Sequence, residues 1–531
     1  MHDHEIMIND VRRAYFYAKA SRHLFVEIPE EDKMKKPGMV GRLRLCLYGT
    51  RDAAKSWQET LSTHLKSIGF ERGKGHTAVY HHKKMGIKTL VHGDDYFSAG
   101  PRKSLLWFKE KLSAEYDIKT QHVGGHKDSA KEGKVLNRII RCTEAGYELE
   151  ADQRHAELVI EQMGAHAVGV ISSPGIDTVE SNEGEEGAKE LSKEDAKSYR
   201  SIAARCIYLS ADRPDMQFAV KEACREMSSP TESSWAKLVR LAKYLRAHPR
   251  LVWEFKLQLM PAVLDVYSDA NWGLCRRTRK STSGGSMLWG SHTIKTWSKT
   301  QSIIAKSSGE SELYAIVKAS TEALGAITLF EDIGIQVEAR IHVDATAAKS
   351  ILERQGVGGV RHIEMDTMWL QEQRARARLP LIKCPGTDNP ADMMTKYLSA
   401  PDIWKYVKRL SMSKRDGRAQ AAAQLHSAQL VDPDKPLIIY PNGGKDADLW
   451  ECRGAGGVWR RRHNKQRLSL FTPFRVPRGP PRGAKLTFRR RTIGEYVDGE
   501  KLTFEDEWNN LDSQHKMLDR AWLGSTEFIQ E

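Results

Sequence analysis

Metal-binding cysteine pairs are missing from this 531-residue chain. Its seven cysteines (46, 142, 206, 224, 275, 384 and 452) include no CxxC, which argues against a zinc ribbon or a disulfide framework and fits a reducing compartment. No apolar run reaches 18 residues, and the opening "MHDHEIMINDVRRAYFYAK" has no signal-peptide core. The expectation is a soluble, intracellular protein, cytoplasmic or nuclear, with no membrane partner. Acidic residues are missing from 453–491, which holds 13 Lys/Arg interleaved with Pro and Gly. That pattern predicts a basic tail of low structure, suited to sequence-independent phosphate contacts. Large apolar side chains are nearly missing from "SSPGIDTVESNEGEEGAKELSKEDAK" (172–197), which reads as an exposed acidic linker.

What is present is positive charge and length. Lys and Arg number 83 against 69 Asp and Glu, a formal +14, which favours a polyanionic partner such as nucleic acid. The length allows two to four domains. Residues 1–170 mix short strands ("EIMIND", "HLFVEIP", "IKTLVH") with helices at "DAAKSWQETLSTHLKSIGF" and "PRKSLLWFKEKLSAEY", an α+β pattern. Residues 198–258 read as mainly helical, broken by "DRPD" and "SSPTE". From 259 to 400 the order becomes mixed α/β. "AVLDVYSDA", "STSGGSMLW" and "HTIKTWS" with "QSIIAKSS" give three strands, and "ESELYAIVKASTEALGAITLFEDIG" a long helix burying Leu313, Ile316, Val317, Leu324 and Ile327. A strand "ARIHVDA", a helix "EMDTMWLQEQRARAR", a strand "LPLIKCP" and a last helix from "NPADMMTKYL" follow. Residues 401–531 form a basic, partly disordered extension. His2, His4, His81 and His82 share no ligand spacing and read as surface residues.

Two sets of acids invite chemistry. Asp269 ends the first strand of the 259–400 unit, Glu312 lies in the first turn of its long helix, Asp344 ends its fourth strand and Asp392 begins its last helix. Strand ends and helix starts at one sheet edge can converge, and such carboxylates repel unless hard cations such as Mg²⁺ neutralise them. Two ions about 4 Å apart can activate water and stabilise the leaving oxygen of a phosphodiester. The second set is "LVHGDDYFSAG" (90–100), where Asp94 and Asp95 either cap a hairpin turn or hold metal.

The stretch "YSDANW…RKSTSGGSMLWGSHTIKTWSKTQSIIAKSSGESELYAIVKASTEAL…IHVDATAAKSIL…RHIEMDTMWLQE…NPADMMTKYLS" resembles the ribonuclease H domain of Ty1/copia-type retrotransposon Pol polyproteins. Its "STSG", "W-S-K-Q", "SS-E-E", "RHI" and "AD-TK" landmarks stand in family order. The resemblance implies a ribonuclease H-like fold that cuts the RNA of an RNA–DNA hybrid. Asp269, Glu312 and Asp344 would be its core metal ligands and Asp392 the fourth acid. Glu312 is preferred to Glu310 because it precedes the apolar "LYAI". The loop "CPGTDNPAD" lacks the His that many cellular ribonucleases H place there, so proton transfer has no assigned residue.

The same family places a reverse transcriptase upstream. "IMINDVRRAYFYAKASRHLFVEIPEE" resembles the segment carrying its first catalytic Asp, here Asp10. "LRLCLYGTRDAAKSWQETL" resembles its "LYG…W" motif, and "GDD" falls at its paired aspartates, Asp94 and Asp95. The resemblance covers residues 6–400 and implies Mg²⁺ (or Mn²⁺), two per site, with an RNA template, a DNA primer and dNTPs as partners. Neighbouring strand residues face opposite ways, so two adjacent acids share a site only where the chain bends, which Gly93 permits. Asp10 and Asp94 are therefore the expected ligands and Asp95 a weaker third.

The chain departs from the pattern at His92-Gly93, in place of an aromatic-plus-aliphatic pair, and at Arg51-Asp52, in place of Lys-Gln. It begins nine residues before Asp10, so the fingers segment is expected to be missing and the polymerase palm partial. The expected enzyme copies RNA into DNA and degrades the RNA of the hybrid, using Mg²⁺ for both, with weak or no primer extension. Ribonuclease activity alone, or a non-catalytic nucleic-acid-binding remnant, are the alternatives. The sequence leaves the oligomeric state open.

Overall fold

The computed structural model describes residues 3–28, 37–177, 189–275, 277–344, 346, 350, 364–376, 379–423, 450–452, 459–461 and 471–475. The "RHI" landmark, residues 178–188 of the acidic linker and most of the basic tail lie outside the described residues. The architecture is a mixed α/β multidomain arrangement with several sheets.

The first sheet contains β1 (His4–Val11), β4 (Glu71–Arg72), β5 (Val79–His82), β6 (Ile87–His92), β7 (Asp95–Pro101) and β8 (Ile118–Val123), in the order β4-β5-β6-β7-β1-β8. β1 runs antiparallel between β7 and β8 and alternates its apolar faces. Met7 and Val11 join the core under α1 (Ala53–Ser67) and α2 (Arg102–Glu115), with Trp57, Leu61, Leu65, Phe108 and Leu112. Ile6 packs on the opposite face with Phe97 and Val123. The three apolar residues of α1 recur every four positions, which places them on one stripe. A small sheet of β2 (Phe25–Glu27) and β3 (Met39–Leu43) lies apart from this one. His82, expected at the surface, is buried: its Nε2 lies 3.1 Å from the Ile68 carbonyl beneath the α1 terminus.

A meander of β9 (Glu132–Val135), β10 (Arg138–Thr143), β11 (Gly146–Glu150) and β12 (Leu251–Lys256) forms the second sheet, with β18 (Met412–Lys414) on the far side of β12. Between β11 and β12 the chain builds α3 (Gln153–Met163), α4 (Lys193–Ser210), α5 (Pro214–Cys224) and α6 (Glu232–Ala247), which share one apolar core. α4 thus starts inside the stretch whose composition reads as linker. "DRPD" is more than a break. Asp212 pairs with Arg138 at 2.9 Å, and Arg213 pairs with Asp215 at 2.8 Å. Tyr244 also donates to Asp215 at 2.8 Å.

The third sheet contains β13 (Val263–Asn271), β14 (Thr282–Trp289), β15 (His292–Thr300), β16 (Glu338–Val343) and β17 (Leu381–Lys383), in the order β15-β14-β13-β16-β17. The first three strands are an antiparallel meander, and β16 and β17 then run parallel to β13. α7 (Ser308–Asp332) packs on β13 and β14, with α8 (Glu364–Ala375) against α7 and α9 (Ala400–Arg409) after β17. By length and composition α7 could cross a membrane, yet half of its apolar window is buried against the sheet. That burial fits a core helix. "QSIIAKSS" does not continue β15 as a strand: the ladder with β14 closes where the Gln301 N–H donates to the Ser281 carbonyl at 2.8 Å, and Ile304 beyond it is exposed. At its far end α7 meets the first sheet, where the Asp332 carboxylate accepts the backbone N–H groups of Lys74 and His76, each at 2.7 Å. Of the C-terminal extension, β19 (Trp450–Cys452) pairs with β20 (Trp459–Arg461), and β21 (Phe471–Arg475) pairs with β3.

Candidate active sites

In the first sheet, Asp10 lies near the end of β1 and is the register partner of Asp95 on β7, so the two share a face. Asp94 occupies the β6–β7 turn beside Gly93, whose φ of +64° is the left-handed conformation that glycine tolerates best. The Val11 N–H donates to the Asp94 carbonyl at 2.9 Å, which fastens the turn to β1. From below, the indole N–H of buried Trp57 donates to the Gly93 carbonyl at 2.7 Å. This contact gives the tryptophan of the "LYG…W" motif a physical role. The Tyr15 and Tyr48 rings meet tilted by 35°, centroids 4.4 Å apart, next to this face.

The electrostatics of this group are strained. Burial, then Asp94 and Asp10, push the Asp95 carboxyl up to about 7. Burial and Asp94 also raise Asp10, opposed by Lys119, its register partner on β8. Asp52, which replaces an amide in the family pattern, is held elsewhere. It accepts from Ser21 Oγ at 2.6 Å and Arg22 Nε at 3.1 Å at the α1 start.

The third sheet brings its acids closer. Carboxylate oxygens of Asp269, Asp344 and Asp392 all lie within 4.8 Å of one another. Asp269 is buried on β13, and Asp344 directly follows β16. Asp392 sits in a 3₁₀ turn, Pro390–Met394, rather than in the last helix, because α9 starts only at Ala400. Glu312 is the fifth residue of α7, just past the first turn where its sequence position suggests it; its carboxylate accepts the Ala270 N–H and faces Asp269 and Asp344. Glu310 serves the helix start. Its backbone N–H donates to the N-cap Ser307 at 3.2 Å, and its carboxylate accepts the Lys306 N–H at 2.8 Å.

Mutual repulsion in a buried place shifts these groups upward. Asp269 is raised to about 7 by burial, with Asp392 and Asp344 adding to the shift and Lys396 and Thr395 opposing it. Glu312 is raised to about 9 by burial, then by Asp269 and Asp344. Burial raises Asp392 against the pull of Lys396. Lys396 Nζ lies 2.9 Å from Asp392 Oδ1 and 3.8 Å from Asp269 Oδ2, and Thr395 Oγ1 donates to Asp269 Oδ2. An all-oxygen donor set of hard, crowded carboxylates fits a divalent cation such as Mg²⁺ or Mn²⁺.

Several residues besides the acids hold this geometry, most of them inside the landmark motifs. Buried Asn389 donates to the Ser268 carbonyl at 2.9 Å and accepts the Ala391 N–H at 3.1 Å, tying the Asp392 turn to β13. Ser298 donates to the Met394 carbonyl at 2.6 Å. Gly284 is the register partner of Asp269, and a Cβ there would meet Thr395 Cγ2 at 2.5 Å and Met394 Cβ at 2.8 Å. At Gly285 a Cβ would meet the Trp297 ring at 2.1 Å. Gln301 donates to Ser283 Oγ at 3.0 Å and to the Ser311 carbonyl at 2.8 Å, setting where α7 begins. The "STSG", "W-S-K-Q" and "AD-TK" landmarks are therefore one packing arrangement around the acids. Their order in the sequence was the available signal; their contacts were not.

Residues 2–125 match the family described as reverse transcriptase (RNA-dependent DNA polymerase). The retrovirus-related Pol polyprotein from transposon RE2 of Arabidopsis thaliana is 26% identical over 412 residues, covering 76% of this chain and 27% of that protein. The corresponding polyprotein from transposon RE1 of the same plant is 25% identical over 413 residues, 76% of this chain and 27% of its own length. That from transposon TNT 1-94 of Nicotiana tabacum is 24% identical over 405 residues, 74% of this chain and 30% of its own length. The chain spans under a third of the length of each of these curated relatives.

Proposed function

Because this chain belongs to the copia-type retrotransposon Pol family and carries a reverse-transcriptase segment at residues 2–125, we propose that it processes nucleic acid at two carboxylate sites. In this reading the first sheet is a polymerase palm, with Asp10 and Asp94 as principal metal ligands and Asp95 beside them. It would copy an RNA template from a DNA primer with dNTPs. The third sheet is a ribonuclease H-like domain that cuts the RNA strand of the resulting hybrid. The convergence of Asp269, Asp344 and Asp392 within 4.8 Å, from three separate elements, carries the nuclease reading. The β15-β14-β13-β16-β17 order, with its antiparallel-then-parallel switch, supports it.

Asp269, Glu312, Asp344 and Asp392 would hold Mg²⁺ or Mn²⁺. When bound, the ions supply Lewis acidity toward the attacking water and the departing oxygen. The protein's own part is orientation. Thr395 fixes the rotamer of Asp269 through its hydroxyl, the Ala270 N–H fixes Glu312, and Asn389 fixes the Asp392 turn. None of these side chains has to reorganise when charge develops on the phosphate, which is where preorganised sites gain most.

A second reading, hybrid cleavage without productive polymerisation, is favoured by the looser first site. Among the described residues, Asp10, Asp94 and Asp95 are not drawn into a group as tight as the one at the third sheet. Incubating the full chain with Mg²⁺ and an end-labelled RNA–DNA hybrid tests the nuclease reading. Cleavage that disappears in Asp269→Asn is expected, and an intact hybrid with the wild-type chain refutes it. Extension of an oligo(dT) primer on poly(rA) then separates the two readings.

A further inference from the structure

Among the described residues, Lys396 is the charged group against the third-sheet acids that the proposed chemistry leaves without a task. Its Nζ sits between two presumed ligands, 2.9 Å from Asp392 and 3.8 Å from Asp269. The backbone that carries it is held firmly. Thr395 is fully buried, donates to Asp269, and receives the Asn271 side-chain amide on its carbonyl at 3.2 Å. The lysine side chain is different: it is 42% exposed and reaches the acids from the solvent side. A fixed backbone beneath a half-exposed side chain describes a group that can leave its partners without disturbing them.

We propose that Lys396 is a built-in counter-ion of the carboxylate site, neutralising the acids before a divalent cation arrives and competing with that cation for Asp392 and Asp269. The inference rests on the metal-site reading above. In the ion-free protein the ammonium group offsets repulsion among acids crowded within 4.8 Å. A divalent ion needs the same oxygens and repels a positive charge a few ångströms away, so it must push the lysine outward. The residue thereby sets how much metal the site demands. It is a positioning residue for charge, acting through the acids it contacts. Arginine would keep that charge, whereas glutamine would remove it and keep most of the length.

Mn²⁺ titration by calorimetry tests this, counting only the binding that Asp269→Asn abolishes. Lys396→Gln should tighten that binding by about tenfold and lower the melting temperature in EDTA. Lys396→Arg should stay close to wild type in both. Reductive methylation of the wild-type chain gives a readout that needs no variant. Lys396 labelling should rise severalfold when Mg²⁺ is added, as the displaced amine enters solvent. Equal or weaker Mn²⁺ binding in Lys396→Gln, or labelling that ignores Mg²⁺, overturns the proposal while leaving the metal site standing. Failure to find any Asp269-dependent binding in the wild type removes both.

Discussion

At the first sheet, three acids come from one strand end and one hairpin, placed by strand register and a single glycine turn. At the third, four acids come from a strand, a helix, a second strand end and a 3₁₀ turn, held by contacts between distant segments. The first arrangement joins only two chain segments, through strand register, the Val11–Asp94 backbone bond and the Trp57 indole, and leaves its carboxylates less closely gathered. The second joins four segments, is tighter, and provides its own cation in Lys396. Close gathering of like charges needs many outside contacts to enforce it, and the third sheet has them in Asn389, Ser298, Gly284 and Gln301.

That contrast can be broken by substitutions that touch only one site. Gly284→Val drives side-chain carbon into Thr395 and Met394 and should force the Asp392 turn away from Asp269. Hybrid cleavage should fall on the order of a hundredfold, because a displacement of about 1 Å at a reacting centre has that effect. Primer extension by the same protein should be unchanged within experimental scatter. Trp57→Phe removes the indole hydrogen bond to Gly93 while keeping most of the buried ring. Any primer extension should drop by about tenfold, the equivalent of one hydrogen bond, with hybrid cleavage retained. Equal loss of both activities in either variant would mean that the two sites are not independent.

The smallest expected effect is on stability. Asp269 and Asp95 are raised to about 7, and Glu312 to about 9, above their ordinary values of 3.8, 3.8 and 4.5. A carboxyl raised in the folded state holds its proton there while the unfolded chain has lost it, so stability falls as pH rises through that window. In EDTA the melting temperature should therefore decline from about pH 4 to about pH 9, most steeply below about pH 7, where all three groups are protonated in the folded chain and ionised in the unfolded one, and through Glu312 alone above that. Mg²⁺ should flatten the decline. A melting temperature independent of pH in EDTA would mean that these acids are less buried and further apart than described.

Much of this was legible in the sequence because it depends on local signals. The acids stand at strand ends and near a helix start, β1 and the helices of the first unit follow their apolar periodicity, and Gly93 marks the turn. Less legible were features that depend on distant partners. Nothing local reveals that Trp57 reaches Gly93, that Gly284 makes room for Thr395, or that Lys396 lies between Asp269 and Asp392. "DRPD" reads as a break because Pro starts a helix well, yet its charges form buried pairs with residues up to 74 positions away. "QSIIAKSS" has strand-like isoleucines, but the ladder ends at the Gln301–Ser281 bond, and the Gln301 side chain ties that point to the start of α7 at Ser311.

The most direct test of two separate carboxylate sites is a crossed assay of Asp269→Asn and Asp94→Asn, each measured for Mg²⁺-dependent cleavage of an RNA–DNA hybrid and for primer extension. Asp269→Asn should lose cleavage by on the order of a thousandfold and keep whatever extension the wild type shows. Asp94→Asn should lose extension and keep cleavage. Cleavage that survives in Asp269→Asn, or that disappears in Asp94→Asn, would contradict the account.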